Sequence, residues 1–317
     1  MTKLASIIGI TFFIQLIVFF IGVGNNVILS RWLGPEMLGV YASVIVMIEL
    51  VYKIVNPGLD TSAIYFISNR RFDFKQYAGT FFINALIIVA LGIIVLSFLP
   101  KINFISSLLA TNLSEISRNI IAASFYFFAF LMYEYGVKIP LGLQQFKPYN
   151  KIQVVKPVLL FIFLIGVSIL FNPDINAVLI LVGISFLIPA ILYWRWAFPF
   201  KLKWGKEITK KSIGYGLKVM LGNILQYLNY RMDILFIGYF LTQAEVGWYY
   251  IAVVIAERLL FLTQATATIL LPAASSSEEQ REKTPLLSRI NFTIVLIGSV
   301  IIGVSAYWIV PLLFSSR

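Results

Sequence analysis

Cysteine and histidine are both absent from this 317-residue chain. Their absence excludes disulfides, thiolate and imidazole metal sites, and the commonest general base. A metal site would have to be built from carboxylates alone, and no cofactor is expected. Charge is also scarce: 12% of residues are charged against 60% hydrophobic, with a mean hydropathy of +0.90. Soluble domains carry about 25% charged residues. The apolar residues fall in blocks of twenty or more, long enough to cross a bilayer core as helices. An all-α, polytopic membrane protein is therefore expected.

Nine spans are predicted, at roughly 5–29, 39–68, 77–99, 119–143, 152–172, 177–198, 213–239, 247–273 and 290–314. The first is too long for the apolar core of a signal peptide and lacks a small-residue cleavage site, so it counts as a span. No connecting loop exceeds about twenty residues, which leaves no soluble domain.

A net charge of +11 could suggest nucleic acid. The basic residues instead cluster in short loops between spans, the pattern of membrane orientation. Alternate loops, counted from the N-terminus, hold Lys3; Arg70, Arg71 and Lys75; Lys147 and Lys151; Arg195, Lys201, Lys203, Lys206, Lys210 and Lys211; and Arg281, Lys283 and Arg289. The opposite loops hold Arg31, Lys101 and Arg118. Fifteen against three puts the N-terminus in the cytoplasm, in a multi-pass protein of the cytoplasmic membrane. The most basic stretch, "PFKLKWGKEITKKS" (Pro199 to Ser212), reads as a linker between a six-helix lobe at 1–198 and a second, partial lobe at 213–317. With Trp204 amid five Lys, it suits a segment lying on anionic lipid or a solvated loop that sets orientation.

The chain nearly repeats itself at an offset of 208. "LGPEMLGVY" spans Leu33 to Tyr41, and "LTQAEVGWY" spans Leu241 to Tyr249. Polar positions inside the spans coincide at the same offset: Gln15 with Asn223, Asn25 with Asp233, Glu49 with Glu257, and Asn56 with Gln264. Six spans separate the copies, so the second re-enters the membrane in the orientation of the first. Parallel repeats related by an axis along the membrane normal are expected, with a central cavity between them.

"LSRWLGPEMLGVYASVIVMIELVYKIVNPG" resembles the amino-terminal spans of the polysaccharide or oligosaccharide flippase family. "LNYRMDILFIGYFLTQAEVGWYYIAVVIAERLLFLTQATATILLPAAS" is similar to the seventh and eighth spans of that family. The resemblance implies two six-helix lobes, alternating access, and transfer of a polyprenyl-diphosphate-linked oligosaccharide between leaflets. It implies basic residues of the first, second and eighth spans as the diphosphate site. Lys53 and Arg258 match by span, while Arg31 lies at the outer end of the first span rather than deep within it.

Ionisable groups within spans are costly and face a cavity or a partner. Glu49 and Lys53 stand four apart, as do Glu134 and Lys138, in the favourable order for a pair on one helix face. Asn56 and Asp60 extend the first of these into a stripe. Arg231 and Asp233 lie in the seventh span, with Asp233 continuing a row through Asn223, Gln226 and Tyr230 toward the cavity. Glu257 and Arg258 sit midway along the eighth. These charges serve either as ion pairs joining helices or as an anion site. For the latter, Lys53, Arg258, Lys138, Arg231, Asn25, Asn56 and Gln264 would line the cavity, with Glu49, Glu134, Asp233, Glu257 and Asp60 as coupling or ion-pair acids. Lys156 and Lys218, near span ends, are expected to snorkel. The sequence leaves H+ and Na+ open as coupling ions.

The expected partners are the lipid-linked oligosaccharide and membrane lipids, with no nucleic acid, and a full-length chain acting as a monomer. A multidrug antiporter of the same fold would favour an acid-dominated aromatic cavity. A major facilitator would carry a Gly…Asp-Arg loop where "SNRRFDFKQY" stands. A polymerase or ligase would need a large outer loop, and the longest, Pro100 to Arg118, offers only Lys101, Glu115 and Arg118. A non-transporting subunit is a further alternative. At the offset of 208, counterparts of the fourth to sixth spans are missing after Arg317, so a fragment of a twelve-span protein is expected.

Overall fold

The computed structural model describes residues 2–101, 118–257 and 278–314; among them there are helices and no strands. Helix α1 (Thr2–Val55) passes through a break at Gly34, whose φ of 69° and ψ of 173° suit glycine alone. Pro35 follows as the first residue of the next helical stretch, where its missing N–H goes unmissed. The chain reverses here. Before the break, Asn25 and Trp32 donate in turn to the carbonyls of Pro157 and Phe171. After it, the chain runs back past Gln243, Tyr227 and Gly216. Helix α1 thus contains the first predicted span and the first part of the second, up to Val55.

The second predicted span, 39–68, is itself broken. Pro57 can donate no backbone bond, and Gly58 takes a left-handed φ of 72° before α2 (Leu59–Ser68). Asn56 Oδ1 accepts the Leu59 N–H at 3.1 Å and so satisfies one of the free donors at the start of α2. The break admits another backbone: a Cβ on Gly58 would lie 2.4 Å from the Gly216 carbonyl oxygen.

Helices α3 (Phe74–Phe98), α4 (Ile120–Gly142), α5 (Phe146–Gln153), α6 (Val155–Leu170) and α7 (Ile175–Ala197) complete a bundle. Asp73 and Asp174 cap α3 and α7 through the N–H groups of Gln76 and Ala177. The bundle's centre is aromatic. Phe81 stacks on Tyr135 at 4.8 Å, and Trp194 donates its indole N–H to the Met132 carbonyl at 3.0 Å. The predicted fifth span, 152–172, corresponds to α6, with α5 leading into it from Phe146.

The basic stretch after α7 lies along α3. Lys201 N–H donates to the Lys75 carbonyl, Thr80 Oγ1 to the Lys203 carbonyl, and Trp204 Nε1 to Asn84 Oδ1. Gly79 makes this possible, because a Cβ there would stand 1.7 Å from the Lys201 carbonyl oxygen. The segment is thus bonded to α3 while the side chains of Lys201, Leu202, Lys203 and Trp204 stay exposed. The helix that follows, α8 (Lys206–Phe240), starts seven residues before the predicted boundary at 213. Residues 243–257 form α9, and α10 is Glu278–Phe314.

Ser68 donates to the Gly142 carbonyl and Lys201 to that of Lys75, so the loops bearing Arg70, Lys75, Lys147 and Lys201 meet at one end of the bundle. Trp32, Phe171, Gly39 and Gln243 meet at the other. Six helices among the described residues are long and apolar enough to cross a membrane: Phe13–Val55, Phe74–Phe98, Ile120–Gly142, Phe146–Leu170, Ile175–Ala197 and Ser288–Trp308. The first, at 43 residues, reverses at Gly34, and each arm is about 30 Å long, enough for one crossing of a hydrocarbon core about 30 Å thick. Helix α8 is long enough but too polar for that set, because its predicted span carries Lys218, Arg231 and Asp233. Residues 258–273 of the predicted eighth span lie outside the described residues.

Candidate functional site

The two phrases, which share Leu, Gly and Tyr at matching positions, touch each other. A Cβ on Gly39 would lie 1.8 Å from the Gln243 carbonyl oxygen and 3.0 Å from Gly247 N. A Cβ on Gly247 would lie 2.0 Å from the Pro35 carbonyl oxygen and 3.2 Å from Gly39 N. Pro35 and Gln243 are themselves 208 apart, so the contact is reciprocal, as across a local two-fold axis. Only glycine permits such an approach at either position. Ser43 Oγ adds a bond to Gln243 Oε1 at 3.4 Å, and Tyr41 meets Tyr250 edge-on at 6.4 Å.

Each copy starts its helix differently. The first uses Gly34 and Pro35; the second uses a capping box. The Glu245 carboxylate accepts from Thr242 N at 2.7 Å and Thr242 Oγ1 at 2.9 Å, while Thr242 Oγ1 accepts the Glu245 N–H at 3.4 Å. The Thr242 N–H beside it holds the Glu245 carboxyl below its usual pKa.

Below this contact opens a cleft of about 270 Å³, lined by Glu49, Lys53, Phe130, Glu134, Tyr227, Tyr230, Arg231 and Glu257. Its walls come from α1, α4, α8 and α9. Glu49 stands fourteen residues beyond Pro35 and Glu257 fifteen beyond Thr242, each about 21 to 23 Å along its helix. The cleft is therefore deep between the two ends. Arg231 holds the Glu257 carboxylate by two bonds, at 2.6 and 3.1 Å, a fork geometry. Tyr227 OH points to the Val46 carbonyl at 2.9 Å and to Glu49 Oε2 at 3.2 Å.

Five predicted site residues meet here: Glu49, Lys53, Glu134, Arg231 and Glu257. The pairing within them differs from the sequence reading. Glu49 bonds with Tyr227 across the cleft rather than with Lys53 one turn along. Among the described residues Lys53 has no carboxylate partner; its ammonium sits 5.1 Å from the Tyr52 ring centroid. Lys138 does pair with Glu134, at 3.5 Å, and stands behind the cleft wall.

The other predicted residues are elsewhere. The stripe from Glu49 to Asp60 ends at the Asn56–Gly58 break. Beyond it Asp60 accepts from Tyr52 OH at 3.0 Å and Asn56 Nδ2 at 2.9 Å, and Asn56 Oδ1 accepts from Tyr135 OH at 3.0 Å. This buried network ties α1, α2 and α4 together. Asn25 joins α1 to α6 through the Pro157 carbonyl, with its Oδ1 buried and unbonded. Asp233 does not line the cleft, because it is taken up by Tyr249 OH and the Ile234 N–H. Arg258 and Gln264 lie outside the described residues.

Tyr227 and Phe130 went unnoticed in sequence. Tyr227 precedes Arg231 by four residues, the spacing that would have placed both on one face of α8. Lys156 does not snorkel. Its ammonium stands 3.7 Å from the Phe186 ring centroid and 5.9 Å from that of Tyr133, held among aromatic faces within the bundle.

An all-helical set of membrane-length segments around a deep, charged cleft defines a polytopic membrane protein with a polar interior site. The model of the polysaccharide biosynthesis protein family matches residues 28–317, and the chain belongs to that family. No curated protein and no solved structure matches it.

Proposed function

We propose that this member of a polysaccharide biosynthesis family is a flippase, carrying polyprenyl-diphosphate-linked oligosaccharide across the cytoplasmic membrane by alternating access, without covalent chemistry. The observation that carries the reading is Lys53, a cation with no carboxylate partner among the described residues, facing the same deep cleft as Arg231. A lipid diphosphate brings negative charge into a low-dielectric space, where such a cation contributes strongly. Arg231 then exchanges Glu257 for phosphate oxygens. Glu257, so released, and Glu49 are the groups able to take up H+ or Na+ as coupling ions.

With the N-terminus in the cytoplasm, the loops bearing Arg70, Lys75 and Lys201 face the cytoplasm and the Gly39–Gly247 contact closes the outer end. Transfer requires that contact to part. The orientation has a direct check, since the chain has no Cys to give background labelling. Both Lys206 and Thr242 are exposed, at opposite ends of α8. Lys206→Cys is expected to react with an impermeant maleimide only from the cytoplasmic side, and Thr242→Cys only from outside. The opposite pattern at both would invert the topology.

The transport role is tested at Lys53. Lys53→Ala is expected to lower glycan export about tenfold or more while the protein still inserts and folds, and Lys53→Arg to retain part of it. Glu49 bonds with Tyr227, so adding Glu49→Ala to Lys53→Ala should not restore export. Recovery in that double variant would mean Lys53 only balances Glu49, and the anion site would be lost.

A further inference from the structure

A second recess lies on the outer surface of the bundle, away from the charged cleft. It has a volume of about 430 Å³, within the range of small-molecule sites. Phe82 of α3, Phe128 and Met132 of α4, and Leu187, Ala190 and Trp194 of α7 form its floor. Ile191 at 55% exposed and Phe198 at 66% exposed flank its open side. One charged residue, Arg195, stands at its edge.

The recess is not a gap left by poor packing. Trp194 is fixed by its bond to Met132 and by edge-on contact with Phe82 at 4.9 Å. Phe200 in turn packs on Phe82 at 5.4 Å and on Trp194 at 6.1 Å. Phe198 and Phe200 belong to the segment joining α7 to α8, and that segment continues through Lys201 and Lys203 along α3. The rigid wall is thus apolar, and the rim at the basic end of the bundle is cationic. Arg195 is exposed and forms no ion pair among the described residues.

We propose that this recess binds an anionic phospholipid of the surrounding bilayer, one acyl chain lying against Phe82, Met132 and Trp194 and the headgroup phosphate on Arg195. The chemistry is that of an amphiphile: an apolar slot for hydrocarbon, open to the membrane, ending at a guanidinium at the interface. Guanidinium is suited to phosphate because its N–H groups match two oxygens at once. Lys201 and Lys203 add attraction for a negatively charged headgroup over one that is neutral overall. A bound lipid would brace the α7–α8 connection, since two of its aromatic residues form the wall. The site does not depend on what the deep cleft carries.

The test uses the full chain, purified in detergent, stripped of lipid and examined by native mass spectrometry. Phosphatidylglycerol, phosphatidylcholine with matched chains, and a polyprenyl phosphate are added separately and in competition. Phosphatidylglycerol is expected to bind about tenfold more tightly than phosphatidylcholine, because Lys201 and Lys203 attract a headgroup whose phosphate charge no choline offsets. Arg195→Gln should weaken the binding of both about tenfold, with Arg195→Lys keeping most of it, and Lys201→Gln with Lys203→Gln should bring the two lipids to within about twofold of each other. Ile191→Trp, which fills the slot from its exposed side, should remove the binding of both, with an unchanged thermal melt. Equal binding of the two phospholipids by the unsubstituted chain overturns the proposal, as does an undiminished affinity for phosphatidylglycerol in either Arg195→Gln or Ile191→Trp. Displacement of phosphatidylglycerol by equimolar polyprenyl phosphate would also overturn it, assigning the slot to a polyprenyl tail. Should Arg195→Gln fail to fold, Ile191→Trp and the competition decide.

Discussion

Cross-linking Ser43→Cys to Gln243→Cys stops glycan export, and cleavage of a reducible cross-linker restores it: this is the largest effect expected from the closed outer end. The two side chains already approach to 3.4 Å. Next to them Gly39 and Gly247 bring two backbones together more closely than any Cβ would allow. A contact built on paired glycines can seal an end without filling it, and it can part without breaking a salt bridge. If the substrate leaves the cleft through this end, a covalent tie across it holds the cleft shut on that side. The native chain has no Cys, so the tie forms between the chosen residues alone. Full export by the cross-linked protein would show that the Pro35–Gln243 region does not open during the cycle, and alternating access through it would be abandoned.

The second large effect concerns the Arg231–Glu257 pair. Both side chains are partly buried, 24% and 32% exposed. Arg231→Ala leaves the Glu257 carboxylate without its two bonds in a low-dielectric cleft. It should destabilise the protein by about 1 to 3 kcal/mol, as expected for a partly buried group deprived of its partner. Export should fall to background at the same time. The double change Arg231→Met with Glu257→Met removes both charges and keeps the volume, so the melting temperature should return to near that of the native chain. Export should not return. A purely structural pair differs in the transport outcome of the double variant, where export would recover together with stability.

The pattern of these residues was partly legible in the sequence, and the reasons differ residue by residue. Glu49, Lys53, Glu134, Arg231 and Glu257 stood out because a charge within an apolar run must find water, a cavity or a partner. That rule names the residue but not the partner. Glu134 and Lys138 paired as their i,i+4 spacing suggested. Glu49 and Lys53 had the same spacing and did not pair, because Tyr227 on another helix reached Glu49. Arg231 found Glu257, 26 residues away. The Asn56–Asp60 step looked like helix continuing, although Pro57 and Gly58 were visible as breakers. Lys156 looked terminal, but Phe186 and Tyr133 close around it.

The sequence by itself determined the membrane class, the helical segments, the uneven distribution of basic loops and the spacing of the two matching phrases. These follow from composition, run length and periodicity, which neighbours along the chain set and which survive any packing. The tertiary structure alone decided that the phrases meet at Gly39 and Gly247, that the basic segment after Pro199 rests on Gly79 and Thr80 of α3, and that Asp233 turns to Tyr249 instead of the cleft. Each depends on how closely two distant backbones approach, and that distance is fixed by packing between helices, which no local pattern encodes.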